Sequence, residues 1–256
     1  MEQECTVCGG TGWIVTERDG LSGAQRCECV SRGRVERLLD RAGIPENYQR
    51  VTSIDDFLLP KDNPTLRTAL GAVMTGVRAY VREFPALDKL GLLFIGPTGT
   101  GKTHLAIGVL RELIRKGHEG VFFNYQKLLQ RIHAGYDKES GASDREAFRV
   151  ALDTEILLLD DLGSHRVNDW VEDTVTSIIT HRCDARKPLI VTTNLWDETM
   201  GDKRGSGVQE GIYSKYFLAE RVGMRARSRL FEMCSVIRMP NDADYRVENR
   251  KSLMLR

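Results

Sequence analysis

Two hydrophobic periods alternate along this chain. Short unbroken apolar runs, Leu92-Leu93-Phe94-Ile95, Val121-Phe122-Phe123, Ile156-Leu157-Leu158-Leu159 and Leu189-Ile190-Val191, are bounded by Gly, Pro or polar residues. Such runs predict short strands buried on both faces. Elsewhere the apolar residues recur at spacings of three and four: Leu66, Leu70, Val73, Val77 and Val81; Leu105, Ala106, Val109, Leu110 and Leu113; Val171, Val175, Ile178 and Ile179. These predict helices with one buried stripe. The long interval between the strands near 121 and 156 has room for two helices, over 125–133 and 143–152, around a polar 135–142 loop. Residues 31–42 read as a short charged helix ended by Gly43-Ile44-Pro45, and a last strand is expected over 235–239. Strands alternating with helices predict an α/β domain around a parallel sheet.

The first buried run leads directly into Gly96-Pro97-Thr98-Gly99-Thr100-Gly101-Lys102-Thr103. This fits the phosphate-loop pattern G-x-x-x-x-G-K-[ST] at every fixed position, in the strand–loop–helix context the pattern requires. Its glycines let backbone N–H groups converge on phosphate oxygens, and the new helix aims its positive end at them. Lys102 is expected to reach the β- and γ-phosphates, and Thr103 to place its hydroxyl on Mg²⁺. A nucleoside triphosphate is therefore the expected ligand.

Two later strands end in polar residues. The third buried run closes with Asp160-Asp161, placing carboxylates at the carboxyl end of a strand, where α/β sheets bind ligands. Asp160 is the candidate for Mg²⁺, and Asp161 for polarising the attacking water. The run Leu189-Ile190-Val191-Thr192-Thr193 closes with Asn194, placed to touch a γ-phosphate or the water beside it.

Composition adds little until its distribution is considered. The net charge is +1, with 41% hydrophobic and 29% charged residues, as in an ordinary soluble globular protein. Residues 202–256 nevertheless hold twelve Lys/Arg against seven Asp/Glu. Within that basic region Arg225 and Arg229 lie four apart, so they share a face if the segment is helical. They suit either an anionic partner or a solvated basic face. The acidic start without an apolar core, and the lack of any run near the ~20 residues of a membrane span, predict no signal peptide, no membrane and a cytoplasmic chain. In that compartment the six cysteines are not expected to pair as disulfides. Four of them, Cys5, Cys8, Cys27 and Cys29, form a C-x2-C and C-x-C pair, which matches a closed structural Zn²⁺ site. A module this small gains its missing folding energy from metal. Cys183 and Cys234 are expected to be inert buried thiols.

The ordered set G-P-T-G-T-G-K-T-H-L, I-L-L-L-D-D-L-G, V-T-T-N-L and S-R-L-F-E-M resembles the DnaC/DnaI/IstB branch of the AAA+ ATPases, over roughly residues 45–245. The cysteine block resembles the zinc-bearing front end of DnaI-like loaders. The resemblance implies a three-layer αβα P-loop NTPase of the ASCE type. It further implies an ATP cradle formed by Gly96, Pro97, Thr98, Gly99, Thr100, Gly101, Lys102, Thr103 and His104. Asp160 and Asp161 match the Walker B pair, Asn194 the sensor-1 position, and Arg229 the arginine finger that acts on a neighbouring subunit's ATP. Arg225 is a second candidate trans contact. The helix pair between 125 and 153 matches an insertion that contacts single-stranded DNA, with Lys127 and Arg131 as candidates.

The implied function is an ATP-dependent helicase loader in replication initiation. It would bind the replicative DNA helicase and single-stranded DNA, and work as a homo-oligomer. An IstB-like transposition helper acting on duplex DNA, and a weakly hydrolysing nucleotide-gated adaptor, remain open alternatives. Asp161 stands where many AAA+ proteins have Glu, which leaves slow hydrolysis open. No C-terminal lid domain is expected after Arg229. The expected organisation is a zinc module over 1–44, a linker over 45–62 lying against the next domain, and the ATPase domain over 63–256. The glycine-rich 201–211 loop is expected to be mobile.

Overall fold

A computed structural model of the chain describes residues 5–18, 21–134, 142–165, 167–200 and 217–240. The 201–211 loop, most of the polar 135–142 loop and the tail beyond residue 240, on which the expected lack of a lid bears, lie outside these residues.

All four unbroken apolar runs are strands, and they share one sheet. Gly91–Ile95 (β3), Gly120–Asn124 (β4), Ile156–Asp160 (β5), Leu189–Thr193 (β6) and the terminal Cys234–Arg238 (β7) pair in parallel, in the order β4-β5-β6-β3-β7. The phosphate-loop strand β3 therefore sits between β6 and β7, and β6 separates it from the acid-ending strand β5. The fold is a P-loop NTPase-like α/β sandwich with the additional strand that the ASCE arrangement requires.

Side chains alternate across a strand, so each run feeds two cores. Leu92, Phe94, Ile156, Leu158 and Ile190 point to the face covered by Pro64–Glu83 (α2) and Lys102–Arg115 (α3). Leu93, Ile95, Leu157, Leu159, Leu189 and Val191 point to the other face. There they meet Tyr125–Ala134 (α4), Ala142–Asp153 (α5), Asp169–Asp184 (α6), Leu218–Val222 (α7) and Met224–Met233 (α8). Burial on both faces is why these runs are continuous rather than alternating. Asn63 and Asn168 cap α2 and α6 through side-chain bonds to Leu66 N and Val171 N, at 2.9 and 2.8 Å.

The N-terminal region holds more structure than its sequence pattern predicts. Trp13–Arg18 (β1) and Leu21–Arg26 (β2) form an antiparallel hairpin between the two cysteine pairs. Helix α1 runs over Glu28–Arg41, beginning three residues earlier than expected. Its early start explains the tight C-x-C spacing: Cys27 is the N-cap residue and Cys29 lies in the first turn. The 45–62 stretch is pinned to α3. Ile54 is 1% exposed and its N–H donates to Glu112 Oε1 at 2.9 Å, while Ala42 O accepts from Phe122 N on β4 at 2.7 Å. Of the two unpatterned cysteines, Cys234 is fully buried as expected, whereas Cys183 is only half-buried.

Because Ile54 belongs to the core under α3, Ile54→Ala should cost about 2–5 kcal/mol of stability, the range for emptying a buried aliphatic site. Chemical denaturation of the full chain, read by circular dichroism, measures it; a loss under about 0.5 kcal/mol, the size of an ordinary surface substitution, would show the stretch only rests on the surface.

Candidate functional site

The phosphate loop leaves β3 at Gly96 and enters α3 at Lys102. Gly99 and Gly101 have φ of 81° and 88°, a left-handed conformation that only glycine adopts without strain. Gly101 has a second constraint: a Cβ there would lie 2.4 Å from the Phe57 ring. Thr100 Oγ1 donates to Pro97 O at 2.9 Å and closes the turn. Lys102 is 5% exposed, and its Nζ donates to Gly96 O at 2.9 Å and Pro97 O at 2.6 Å, so its charge is held inside the loop curve.

A cavity of about 340 Å³ opens in front of the loop. One wall is Thr98 to His104, with Asp161 and Asn194 facing it. The lining also includes the apolar Phe57, Leu58, Pro60, Leu66 and Leu70, with Phe57 packed against Gly101 of the loop. A polar, helix-headed end beside an apolar slot suits a molecule with an anionic end and a flat apolar end. His104 sits at the junction, its ring edge-on to Phe57 at 5.7 Å between centroids. Burial lowers its pKa, favouring the neutral ring, and its buried Nε2 meets no hydrogen-bond partner among the described residues.

Asp160 and Asp161 diverge although adjacent. Asp160 ends β5, is 6% exposed, and accepts on Oδ1 from Thr103 Oγ1 at 2.8 Å and Thr192 Oγ1 at 2.6 Å. Burial pushes its pKa above the usual carboxylate range, and the Thr192 bond opposes that shift. Asp161 has left the strand with φ 58°, which turns it toward the cavity, and its N–H donates to Thr192 Oγ1 at 2.9 Å. Thr103 and Asp160 are therefore in contact, close enough to hold one cation between them, and Mg²⁺ bound there would neutralise phosphate charge.

The remaining candidates lie elsewhere. Lys127 and Arg131 line a groove of about 920 Å³ beside the edge strand β4, together with Arg41 and Arg149 but also Glu119 and Glu146. Arg225 and Arg229 lie on α8, outside the cavity lining. Arg229 is paired within its own chain, to Glu232 Oε2 at 2.8 Å and Asp184 Oδ1 at 3.7 Å. Pattern reading missed Phe57, Thr192 and an ion pair between the buried Asp197 and the partly exposed Arg227. Only Thr192 carried a signal, a hydroxyl in an otherwise apolar run.

The four N-terminal sulfurs lie within 4.8 Å of one another. Cys5 and Cys27 Sγ are 3.8 Å apart, Cys8 and Cys29 Sγ 3.5 Å. Zinc–sulfur bonds of about 2.3 Å in a tetrahedron place sulfurs about 3.8 Å apart, so the set fits Zn²⁺. Gly12 N donates to Cys8 Sγ at 3.3 Å, supporting a thiolate. Hydrogen bonds from the Cys8 and Val7 backbone hold the Cys5 thiol down to about 6, whereas the Cys8 and Cys27 sulfurs push Cys29 up to about 12. Crowded sulfurs resist holding several negative charges together unless a cation joins them.

Residues 86–206 match the family of IstB-like ATP binding proteins. The replicative helicase loader DnaC of Escherichia coli K12 is 23% identical over 177 residues, 69% of each chain. The uncharacterized protein YqaM of Bacillus subtilis 168 is 25% identical over 196 residues, 70% of this chain but 59% of YqaM. The crystal structure of the DnaC helicase loader superposes with a TM-score of 0.60 at 27% identity, covering 77% of this chain and 100% of that one. The chain is thus similar to IstB- and DnaC-like AAA+ ATP-binding proteins. No helix among the described residues is long and apolar enough to cross a membrane.

Lys102→Ala removes the cation of the phosphate loop. Charge-assisted bonds contribute about 1.5–3 kcal/mol each, so ATP affinity should fall about 10²-fold or more in an equilibrium titration; unchanged affinity would refute the loop as the phosphate site. For the cysteines, elemental analysis should find about one zinc per chain. Cys5→Ser/Cys8→Ser should lose it while the sheet still unfolds cooperatively. Metal-free wild-type protein after gentle purification would contradict the site.

Proposed function

We propose that this chain is an ATP-dependent helicase loader acting in replication initiation. It binds ATP and Mg²⁺ in the cavity before Gly96–Thr103, and its partners are the replicative DNA helicase and single-stranded DNA. The observation that carries the reading is the likeness to the DnaC helicase loader, which spans the whole of that structure. Lys102 cradles the β- and γ-phosphates, Thr103 and Asp160 hold Mg²⁺, and Asp161 with Asn194 faces the attacking water. The aromatic and aliphatic wall around Phe57 takes the base.

Single-stranded DNA is assigned to α4 and α5, where Lys127 and Arg131 supply phosphate contacts. Arg229 is assigned as a finger supplied to a neighbouring subunit in a homo-oligomer. It leaves two exposed ion pairs to do so, and such pairs hold weakly in water. The four-cysteine module is assigned a structural Zn²⁺ held by Cys5, Cys8, Cys27 and Cys29. The organisation that accompanies this reading is a module over 1–44, a connecting stretch over 45–62 and an ATPase domain over 63–256.

A second reading is a transposition helper ATPase acting on duplex DNA, which the match of residues 86–206 to the IstB-like family favours. Steady-state ATPase assays with single-stranded DNA, duplex DNA and no DNA separate the two. Stimulation by single strands, with co-purification of the cognate helicase, is expected. Stimulation by duplex alone would favour the second reading. Lys127→Ala/Arg131→Ala should weaken single-strand binding and flatten its salt dependence, because fewer counterions are released.

The finger assignment is tested by mixing. A trans finger contributes roughly 10³–10⁵ in rate, so Arg229→Ala should bind ATP normally yet lose most hydrolysis. Lys102→Ala subunits bind ATP about 10²-fold more weakly but still present Arg229, so at ATP concentrations that leave their sites largely empty, mixing them with Arg229→Ala subunits should restore turnover. No recovery despite co-assembly would refute trans action.

A further inference from the structure

Helix α8 carries three arginines with different surroundings. Successive residues turn about 100° around a helix. Arg225 and Arg229 therefore share a face, and Arg227 lies on the opposite one. Ala226 and Leu230, both fully buried, seat the helix in the core beside α6. Arg227 is clamped: its Nε and Nη2 reach Asp197 Oδ2 and Oδ1 at 2.5 and 2.7 Å, and its guanidinium lies 5.0 Å over the Phe231 ring. The Asp197 side chain is 1% exposed, and Oδ1 also accepts from Thr199 N and Oγ1 at 3.0 and 2.5 Å.

Asp197 lies three residues beyond Asn194, which lines the cavity. The segment between them is tied to the start of α7 by Leu218 N donating to Trp196 O at 2.8 Å. Beside it the turn that follows Asp161 packs tightly. A Cβ on Gly163 would lie 2.3 Å from Leu195 Cδ1 and 3.1 Å from Arg221 Cβ, and Arg221 Nη1 donates to His165 O at 3.1 Å. The segments after Asp161 and Asn194 thus both contact α7, and the second also contacts α8 through Asp197.

We infer that Asp197 and Arg227 are a positioning pair, which fixes the rotation of α8 relative to the Asn194 segment. The pair thereby sets where Arg225 and Arg229 are offered to a neighbouring subunit. The inference rests on the trans-finger reading of Arg229, and it adds that the segment beyond Asn194 holds the helix from which that finger is donated. The fork geometry is suited to this role, since a bidentate guanidinium–carboxylate pair specifies orientation as well as contact.

The test asks which subunit is impaired. The control is the mixture of Lys102→Ala donors with Arg229→Ala acceptors. If it stays inactive despite assembly, the trans reading falls and this inference with it. In the second mixture the donor also carries Arg227→Ala. Misplacing a reacting group by about 1 Å costs about 10²-fold, so turnover should drop about that far below the control. In the third mixture Arg227→Ala subunits receive fingers from Lys102→Ala donors. Their own cavities are intact, so turnover should match the control, with KM for ATP unchanged.

A donor that remains fully effective with Arg227→Ala overturns the inference. So does a defect confined to the third mixture, which would place the pair's effect in its own cavity. Arg227→Lys and Asp197→Asn, which preserve volume, are run in parallel and should give the same donor-side defect. Loss of cooperative unfolding in all three variants would reduce the pair to a structural staple and overturn it as well.

Discussion

The phosphate end of the structure depends on one buried carboxylate. Asp160 ends β5, and its Oδ1 takes hydrogen bonds from Thr103 at the head of α3 and Thr192 on β6. Three separate elements meet on that oxygen. Burial raises the pKa of Asp160, so ionising it costs more in the folded chain than in the unfolded one. The group consequently opposes stability as pH rises through its shifted range, the reverse of an ordinary paired aspartate. The hydroxyls and the nearby Lys102 charge offset part of this cost. A divalent cation would offset more, which couples metal, nucleotide and the local fold.

The same carboxylate shows what a sequence carries and what it does not. The strands are legible because burial on both faces leaves unbroken apolar runs, and the phosphate loop because only glycines permit its turns at residues 99 and 101. The partnership of Asp160 with Thr192 is not legible. It arises from register, since β5 and β6 pair Leu157 with Leu189, Leu158 with Ile190 and Leu159 with Val191. That register brings the next residues, Asp160 and Thr192, side by side. The β1–β2 hairpin escaped for a different reason. It is a two-stranded ribbon with most of its side chains exposed, and it therefore lacks a buried face to impose a pattern on the sequence.

Phe57 illustrates a third limit. Nothing in its neighbourhood announces a site, and the 45–62 stretch reads as a connection. Yet its ring sits so close to Gly101 that a Cβ there would overlap it, and the same ring meets His104 edge-on. The connection is one wall of the cavity. Glycine at 101 is thus demanded twice, by its backbone angle and by an aromatic neighbour distant in sequence. Through this wall and the Ala42–Phe122 bond, the stretch leading from the cysteine module reaches both the nucleotide cavity and the edge of the sheet.

The pair of Arg227 on α8 with the buried Asp197 is best understood by asking what an apolar replacement would lack. Desolvating two charges consumes much of their attraction, and well-packed hydrophobic residues often hold a helix equally well. Ala226 and Leu230 already supply such packing against α6. Apolar contacts, however, are non-directional and tolerate small rotations and slides. A fork that must meet both oxygens of Asp197 does not. Arg225 and Arg229 project from the opposite side of the helix, where a small rotation at the axis becomes a large displacement at the tip of a long side chain. An apolar stripe alone fixes the rotation of a helix less sharply than a directional pair does. An arginine offered to a neighbouring subunit, as proposed for Arg229, would need tighter placement than that, and the Asp197–Arg227 fork has the directionality to provide it.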